Sequence, residues 1–194
     1  MLSAATRVLR LRFVSPPAPN EAPSEGPLLD FVAYTHGYSV AGMLRLEADR
    51  LTDLLNGADE LDLADVVYLG LDGRIEEAAR AHVDRADLVA VKAGDPRGNA
   101  AFRHPTRQLP IVVGAGPYVM HGYLHSRPGA DGMAHLSRRP SMVPLTDATI
   151  IYETNSILRR DQASTLVVNR DAADWIRPAK EDELARIGVR GPLA

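Results

Sequence analysis

The 194-residue chain is 45 % hydrophobic and 24 % charged, a balance that supports a sizeable core and excludes wholesale disorder. Its net charge of −3 provides no basic surplus, so nucleic acid is not the expected partner. It has no cysteine, which excludes disulfides, zinc ribbons and thiol catalysis. Its apolar runs all fall short of the roughly 18 residues that a membrane span needs, so we expect a cytoplasmic protein without membrane association.

Residues 1–28 are predicted to form a flexible leader. The stretch 14–28 is rich in proline, serine and glutamate, and it buries too little apolar area to order itself. The folded body then begins with a β-rich unit at 29–93, which we call unit one.

Unit one opens with aromatic and β-branched residues that predict a strand over 31–46, bent at Gly37 or Gly42. A short helix follows, with Asp49 as its cap and Asn56-Gly57 as its end. Strands are predicted at 60–69 and at 87–93. Between them lie a turn at 71–74 and the segment 75–81. That last segment has helical propensity, but the comparison with unit two favours a loop and strand.

Residues 94–108 are polar and marked by glycine and proline, which indicates a linker. A second β-rich unit, unit two, occupies 109–178, and a tail with a possible short helix at 181–187 occupies 179–194. In unit two we expect strands at 109–113, 118–125, 142–153, 163–169 and 174–177, with a weak helix at 133–140.

The two units repeat short sequence patterns, which predicts an internal duplication. His36-Gly37-Tyr38 matches the His-Gly-Tyr that begins at His121. The segment ending at Asp65-Val66 matches the one ending at Asp147-Ala148. Val-Asp-Arg ending at Arg85 matches Val-Asn-Arg ending at Arg170. These residues are interpreted as structural: His36 as part of a bend, the aspartates as turn caps or arginine partners.

Helices are too scarce for alternating β-α-β crossovers, so a parallel sheet is not expected. The pattern favours a mainly β fold: an internally duplicated small barrel or sandwich with pseudo-twofold symmetry and one or two short helices. One unit alone would bury only a marginal core, so we expect the two units to share one.

The segment Val113-Gly114-Ala115-Gly116 resembles a dinucleotide-binding loop at first sight. A third small residue is missing at Val119, and the next segment has strand character instead of helix character. We therefore interpret these glycines as a hairpin turn.

Two other sets of residues give alternative functions. His121 and His125 have the spacing of one strand face, which is compatible with a metal-dependent enzyme. The arginine doublets Arg138-Arg139 and Arg159-Arg160 are compatible with a phosphate or nucleic-acid site if their loops cluster.

At the block from His121 to His125, at 144–148 and at 167–170, the chain resembles a group of uncharacterised, actinobacterial-like proteins of bacteria. The resemblance covers most of residues 31–178 and implies an internally duplicated β-rich unit. It implies no activity, cofactor or catalytic residue.

The sequence therefore predicts a non-enzymatic binding or assembly module without a cofactor. No acid, base and nucleophile stand at a usable spacing, while a small β body leaves edge strands that need a partner. We expect that partner to be another protein or a second copy of the chain.

Overall fold

The computed structural model describes residues 12–13, 26–93, 105–180 and 183. The strands are β1 (Arg12–Phe13), β2 (Leu28–Thr35), β3 (Tyr38–Arg45), β4 (Glu60–Gly70), β5 (Ile75–Asp84), β6 (Leu88–Ala93), β7 (Arg107–Ala115), β8 (Tyr118–Ser126), β9 (Met142–Thr154), β10 (Ile157–Asn169) and β11 (Trp175–Pro178). The helices are α1 (Leu51–Gly57) and α2 (Gly132–Leu136), with 3-10 turns at Arg85–Asp87 and Arg170–Ala172. The predicted mainly β class with short helices is confirmed.

The strands form one antiparallel sheet in the order β1-β5-β4-β3-β2-β6-β10-β9-β8-β7-β11. The predicted barrel or sandwich does not close, since among the described residues β1 and β11 lie at opposite ends of this order. The reason is the choice of partner for β6. It pairs with β2 on one side and with β10 on the other, so it cannot close unit one onto β5.

Both units show the same order of elements and the same strand neighbours. Each has a hairpin, a short helix, a second hairpin, a 3-10 turn and a last strand that pairs with the first. Unit one is β5-β4-β3-β2-β6, and unit two is β10-β9-β8-β7-β11. We call residues at the same place in this shared pattern counterparts. A common origin of the units stays a prediction.

The units are joined through unlike strands. β6 is the last strand of unit one, whereas β10 is the fourth strand of unit two. A twofold contact would pair the same strand of each unit. The predicted pseudo-twofold relation is therefore wrong at this contact, which is head-to-tail.

Each unit bends at an aspartate in the left-handed region of backbone space. Asp65 in β4 has φ 50°, and its counterpart Asp147 in β9 has φ 48°. Both lie where the register with the neighbouring strand shifts, opposite Gly42 and Gly122 respectively. A bulge of this kind kinks one strand, so each unit curls over its own apolar side.

The buried apolar residues form two clusters instead of the single shared core that was predicted. The first lies mainly in unit two but includes Tyr34, Val89 and Ala90 of unit one. The second lies mainly in unit one but includes Met142 and Val167 of unit two. Each core is thus completed by the other unit, because the strands at the contact face both clusters.

Several element boundaries differ from the prediction. The strand expected over 31–46 is two strands, β2 and β3, with a turn at His36-Gly37. The N-cap of α1 is Arg50, with no side-chain hydrogen bond, instead of Asp49. Segment 75–81 belongs to β5 and is extended. Most of the leader, the linker and the tail helix lie outside the described residues, although β1 falls within the predicted leader.

Candidate functional site

The two units meet where β6 pairs with β10, over Ala90–Ala93 and Thr165–Val168. We call this pairing and the side-chain contacts around it the junction. It is the most extensive contact between the units.

Tyrosine rings fill the centre of the junction. Tyr34 of β2 lies with its ring centroid 5.7 Å from that of Tyr118 and 5.7 Å from that of Tyr152, edge-on to both. The Tyr34 hydroxyl donates to Asp161 Oδ2 at 2.9 Å, and the Tyr152 hydroxyl donates to the same atom at 3.1 Å. A side chain of unit one is therefore inserted into the core of unit two, where it is 1 % exposed.

These hydroxyls act as hydrogen-bond donors. Burial, reinforced by the Asp161 carboxylate, raises the pKa of Tyr34 far above its usual value. The same two causes raise the pKa of Tyr152 to about 12. Both groups stay protonated at neutral pH and can therefore donate their hydrogen bonds to Asp161.

Polar side chains close the junction at the other end. The Asn56 amide at the end of α1 donates to Met142 O and accepts from Met142 N, both at 3.0 Å. Asn169 donates to Leu88 O at 2.8 Å. Arg85 Nη1 donates to Ser141 Oγ at 2.9 Å. These hydrogen bonds fix the register between the units.

β11 forms one end of the sheet. It pairs with β7 on one side, and in the described part of the chain its other side has no strand. Trp175 is 44 % exposed there and lies over Gly114, where a Cβ atom would overlap the indole. The Arg177 guanidinium lies 5.5 Å from the centre of the indole ring. Arg177 also binds Glu183 through two hydrogen bonds, of 2.8 and 2.7 Å.

β5 lies near the opposite end of the sheet. Among the strands that the structure describes, β1 alone pairs with its outer side, through Arg12 with His82 and Phe13 with Ala81. The rest of that side, from Ile75 to Arg80, has no strand partner among the described residues, and Ile75 is 66 % exposed. The sheet thus presents backbone donors and acceptors at both ends.

His121 and His125 lie on β8, where a spacing of four residues separates their Cα atoms by about 13 Å. Both nitrogens of His125 are engaged, Nδ1 with Thr106 Oγ1 and Nε2 with Thr146 Oγ1, each at 2.8 Å. Burial lowers the pKa of both histidines, so both are neutral at pH 7. Within the residues described, no three potential ligand side chains are grouped to hold a metal ion.

The two arginine doublets lie apart. Arg138 and Arg139 precede the start of β9, whereas Arg159 and Arg160 pair with Tyr152 and Ile151 near its end. A separation of about ten residues along a strand amounts to roughly 30 Å. In addition, Arg139 donates to the carbonyl oxygen of His125, which ties it to the protein. The doublets do not form one basic surface.

The arginines matched between the units have structural contacts. The backbone nitrogens of Arg85 and Arg170 donate to the residues just before β4 and β9, Asp59 and Ser141, at 2.8 Å each. Arg170 Nη1 also donates to three carbonyl oxygens at the end of α2 and just after it, those of Leu136, Ser137 and Arg139, at 2.9, 2.9 and 2.7 Å.

The match of His36 with His121 is wrong. His36 lies in the turn after β2, whereas His121 lies inside β8. The counterpart of that turn is Gly116-Pro117, which confirms the interpretation of the glycine-rich segment as a hairpin. The counterpart of Gly122 is Gly42, since both face the bulged aspartate.

Sequence reasoning missed Trp175, Gly114, Tyr34 and Asp161. The sequence has a single tryptophan, and its position in a short last strand was the available signal. Asp161 gave no signal, because the contact with Tyr34 joins residues far apart in the chain.

No family model, curated protein or solved structure matches the chain. In the described residues, none of the helices is both long and apolar enough to cross a bilayer.

Proposed function

We propose that this protein is a non-enzymatic assembly module that acts in the cytoplasm by associating with itself. The observation that carries the proposal is the junction, because the two strand edges that form it have counterparts at one end of the sheet and next to β1 at the other. β11 is the counterpart of β6, and β5 is the counterpart of β10.

The junction is an example of two such edges paired within one chain. It combines an antiparallel ladder, buried tyrosines and side-chain hydrogen bonds between the units. An exposed edge with an exposed aromatic residue is unfavourable in water unless something covers it. Trp175 stands at such an edge, as the counterpart of Ala90, which is fully buried in the junction.

The alternatives receive less support from the geometry. A phosphate or nucleic-acid site needs converging arginines, and the two doublets lie at opposite ends of β9. A metal-dependent enzyme needs free imidazoles, and the nitrogens of His125 already bond to two threonines.

Light scattering of the full chain over a range of concentrations tests the proposal. We expect masses that are multiples of 21.0 kDa and that rise with concentration. Because the chain has one tryptophan, its emission reports directly on β11 and should shift to shorter wavelength as the mass rises. A mass of one chain at every concentration, with unchanged emission, would contradict the proposal.

A further inference from the structure

We infer that β11 of one copy pairs with β5 of a second copy, in the register and with the side-chain contacts of the junction. This inference rests on the proposed function and specifies its contact. The partner is a second copy because the chain itself carries both complementary edges.

The register follows from the counterparts. In the junction Ala90 pairs with Val168, Val91 with Val167, Lys92 with Leu166 and Ala93 with Thr165. The counterparts of these residues on β11 and β5 give the pairs of the proposed contact between copies. They are Trp175 with Val83, Ile176 with His82, Arg177 with Ala81 and Pro178 with Arg80. Ala179 donates its N–H to Pro110 on β7, so the nitrogen of Pro178 faces the open side. The pairing between copies therefore has one backbone donor fewer than the junction.

The aromatic contact of the junction also has its counterpart. Tyr34 pairs with Ala90 in unit one, as Gly114 pairs with Trp175 in unit two. Gly114 has no side chain, and the indole of Trp175 occupies that space instead. In the junction unit one supplies a ring from β2, that of Tyr34. In the proposed contact between copies unit two supplies a ring from β11, that of Trp175.

The surface that would receive Trp175 resembles the one that receives Tyr34. Tyr38 is the counterpart of Tyr118, and Glu76 is the counterpart of Asp161, since Glu76 pairs with Tyr68 as Asp161 pairs with Ile150. The second copy therefore offers an aromatic ring and an exposed carboxylate. The carboxylate is suited to accept a hydrogen bond from the indole N–H.

Opposite charges meet at the other end of this contact. In the junction α1 lies against the start of β9, through Asn56 and Met142. The counterpart contact brings the segment after α2, with exposed Arg138, to the start of β4. Asp59 and Glu60 are exposed there, the Asp59 side chain to 95 %. This complementarity favours the β11–β5 contact over a contact of β11 with itself.

β1 lies where the second copy would bind. Arg12 and Phe13 pair with His82 and Ala81, which are the counterparts of Val167 and Leu166 in the junction. β1 therefore occupies on β5 the place that β6 occupies on β10. This is the place proposed for β11 of the second copy, so association requires that β1 leave. The N-terminal segment competes with the second copy for one edge.

A charge exchange on the full chain tests the contact. Arg138→Glu and Glu60→Arg should each weaken association about tenfold, because like charges then meet. The double variant, and an equimolar mixture of the two single variants, should regain association. Arg159→Glu is the matched control, because Arg159 is exposed and pairs with Tyr152 on β9, outside β11, β5 and the segment after α2. Circular dichroism and urea unfolding check that each variant is folded.

The outcomes separate the two proposals. Wild-type protein that never associates overturns both of them. Association that none of Arg138→Glu, Glu60→Arg and Trp175→Ala weakens overturns the β11–β5 contact while self-association stands. Arg12 pairs with His82 in the place that Val91 has opposite Val167, so its N–H is the β1 donor that faces β5. Arg12→Pro removes this donor and should strengthen association; a weaker or unchanged association would overturn the competition by β1.

Discussion

Tyr34 in the first unit and Asp161 in the second are 127 positions apart in the chain, yet they share a hydrogen bond of 2.9 Å. Asp161 accepts a second hydrogen bond from Tyr152 of its own unit. The carboxylate therefore connects a ring from each side of the junction.

Replacing Tyr34 by Phe removes the hydroxyl and keeps the ring. We expect the free energy of unfolding to fall by about 1 kcal/mol, because Asp161 keeps its bond from Tyr152. Urea unfolding measures the change. The same replacement in an Asp161→Ala background should cost much less, and an equal cost in both backgrounds would show that the hydrogen bond is not the cause.

Gly114→Ala places a methyl group in the space of the Trp175 indole. We expect the indole to leave its place on β7, the emission to shift to longer wavelength, and the stability to fall by about 1–2 kcal/mol. Gly57→Ala is the control, because a Cβ there has no atom within 4 Å and should leave both quantities unchanged. Equal behaviour of the two variants would contradict the overlap.

Arg170→Ala leaves three carbonyl oxygens, at the last residue of α2 and just after it, without their shared donor. We expect a loss of about 2 kcal/mol in the free energy of unfolding, since the hydrogen bonds to Leu136 and Arg139 are partly buried. Arg159→Ala, which removes an exposed arginine, should change the stability by less than about 0.5 kcal/mol. The role assigned to Arg170 fails if both variants unfold at the same urea concentration.

Burial lowers the pKa of His121 and His125 below the usual 6.5. When the pH falls through that value, the unfolded chain takes up protons that the folded chain does not. Stability is therefore fully present above about pH 6.5 and decreases as the pH falls towards the lowered pKa values. Urea unfolding between about pH 8 and about pH 5 measures this slope.

His121→Gln should reduce the pH slope, because burial lowers the pKa of this histidine. The charged groups that act on His121 are Glu183, Arg177 and Arg160, and the first of these opposes the effect of burial. A slope that stays unchanged in His121→Gln would rule out this histidine as its source.

Asp147 has a positive φ that glycine adopts without cost. Asp147→Gly should leave the stability unchanged or raise it by up to about 1 kcal/mol, whereas Asp147→Val should lower it by more than about 1 kcal/mol. Thermal unfolding compares the two. The same ranking is expected at Asp65. If valine at either position left the stability unchanged, the cost assigned to the positive φ would be contradicted.

The strands themselves could be predicted because alternation and β-branched content are local properties of the sequence. β4, β8 and β9 have nearly the predicted bounds. The turn at His36-Gly37 was missed because its flanking residues continue the strand composition. The His-Gly-Tyr repeat was misleading for a physical reason, since Gly37 belongs to a turn and Gly122 belongs to a bulge.

The candidate site could not be predicted to the same degree. The pairing of β6 with β10 joins two strands whose sequences are compatible with several partners, and local periodicity does not choose among them. From the sequence, Tyr34 is predicted as an ordinary core residue of unit one. The structure shows that it packs in the core of unit two instead. Trp175 stood out by its rarity, but its exposure depends on Gly114, which lies on another strand.

The unlike strands at the junction give the molecule a polarity. One end carries the lone indole on a strand of four residues, and the other carries a longer strand whose side chains include two adjacent glutamates, Glu76 and Glu77. An object with two different ends adds subunits in a single orientation, either until the first and last meet or without limit. Blocking one end would therefore stop the addition of subunits at that end of an assembly. The opposite end could still bind further subunits.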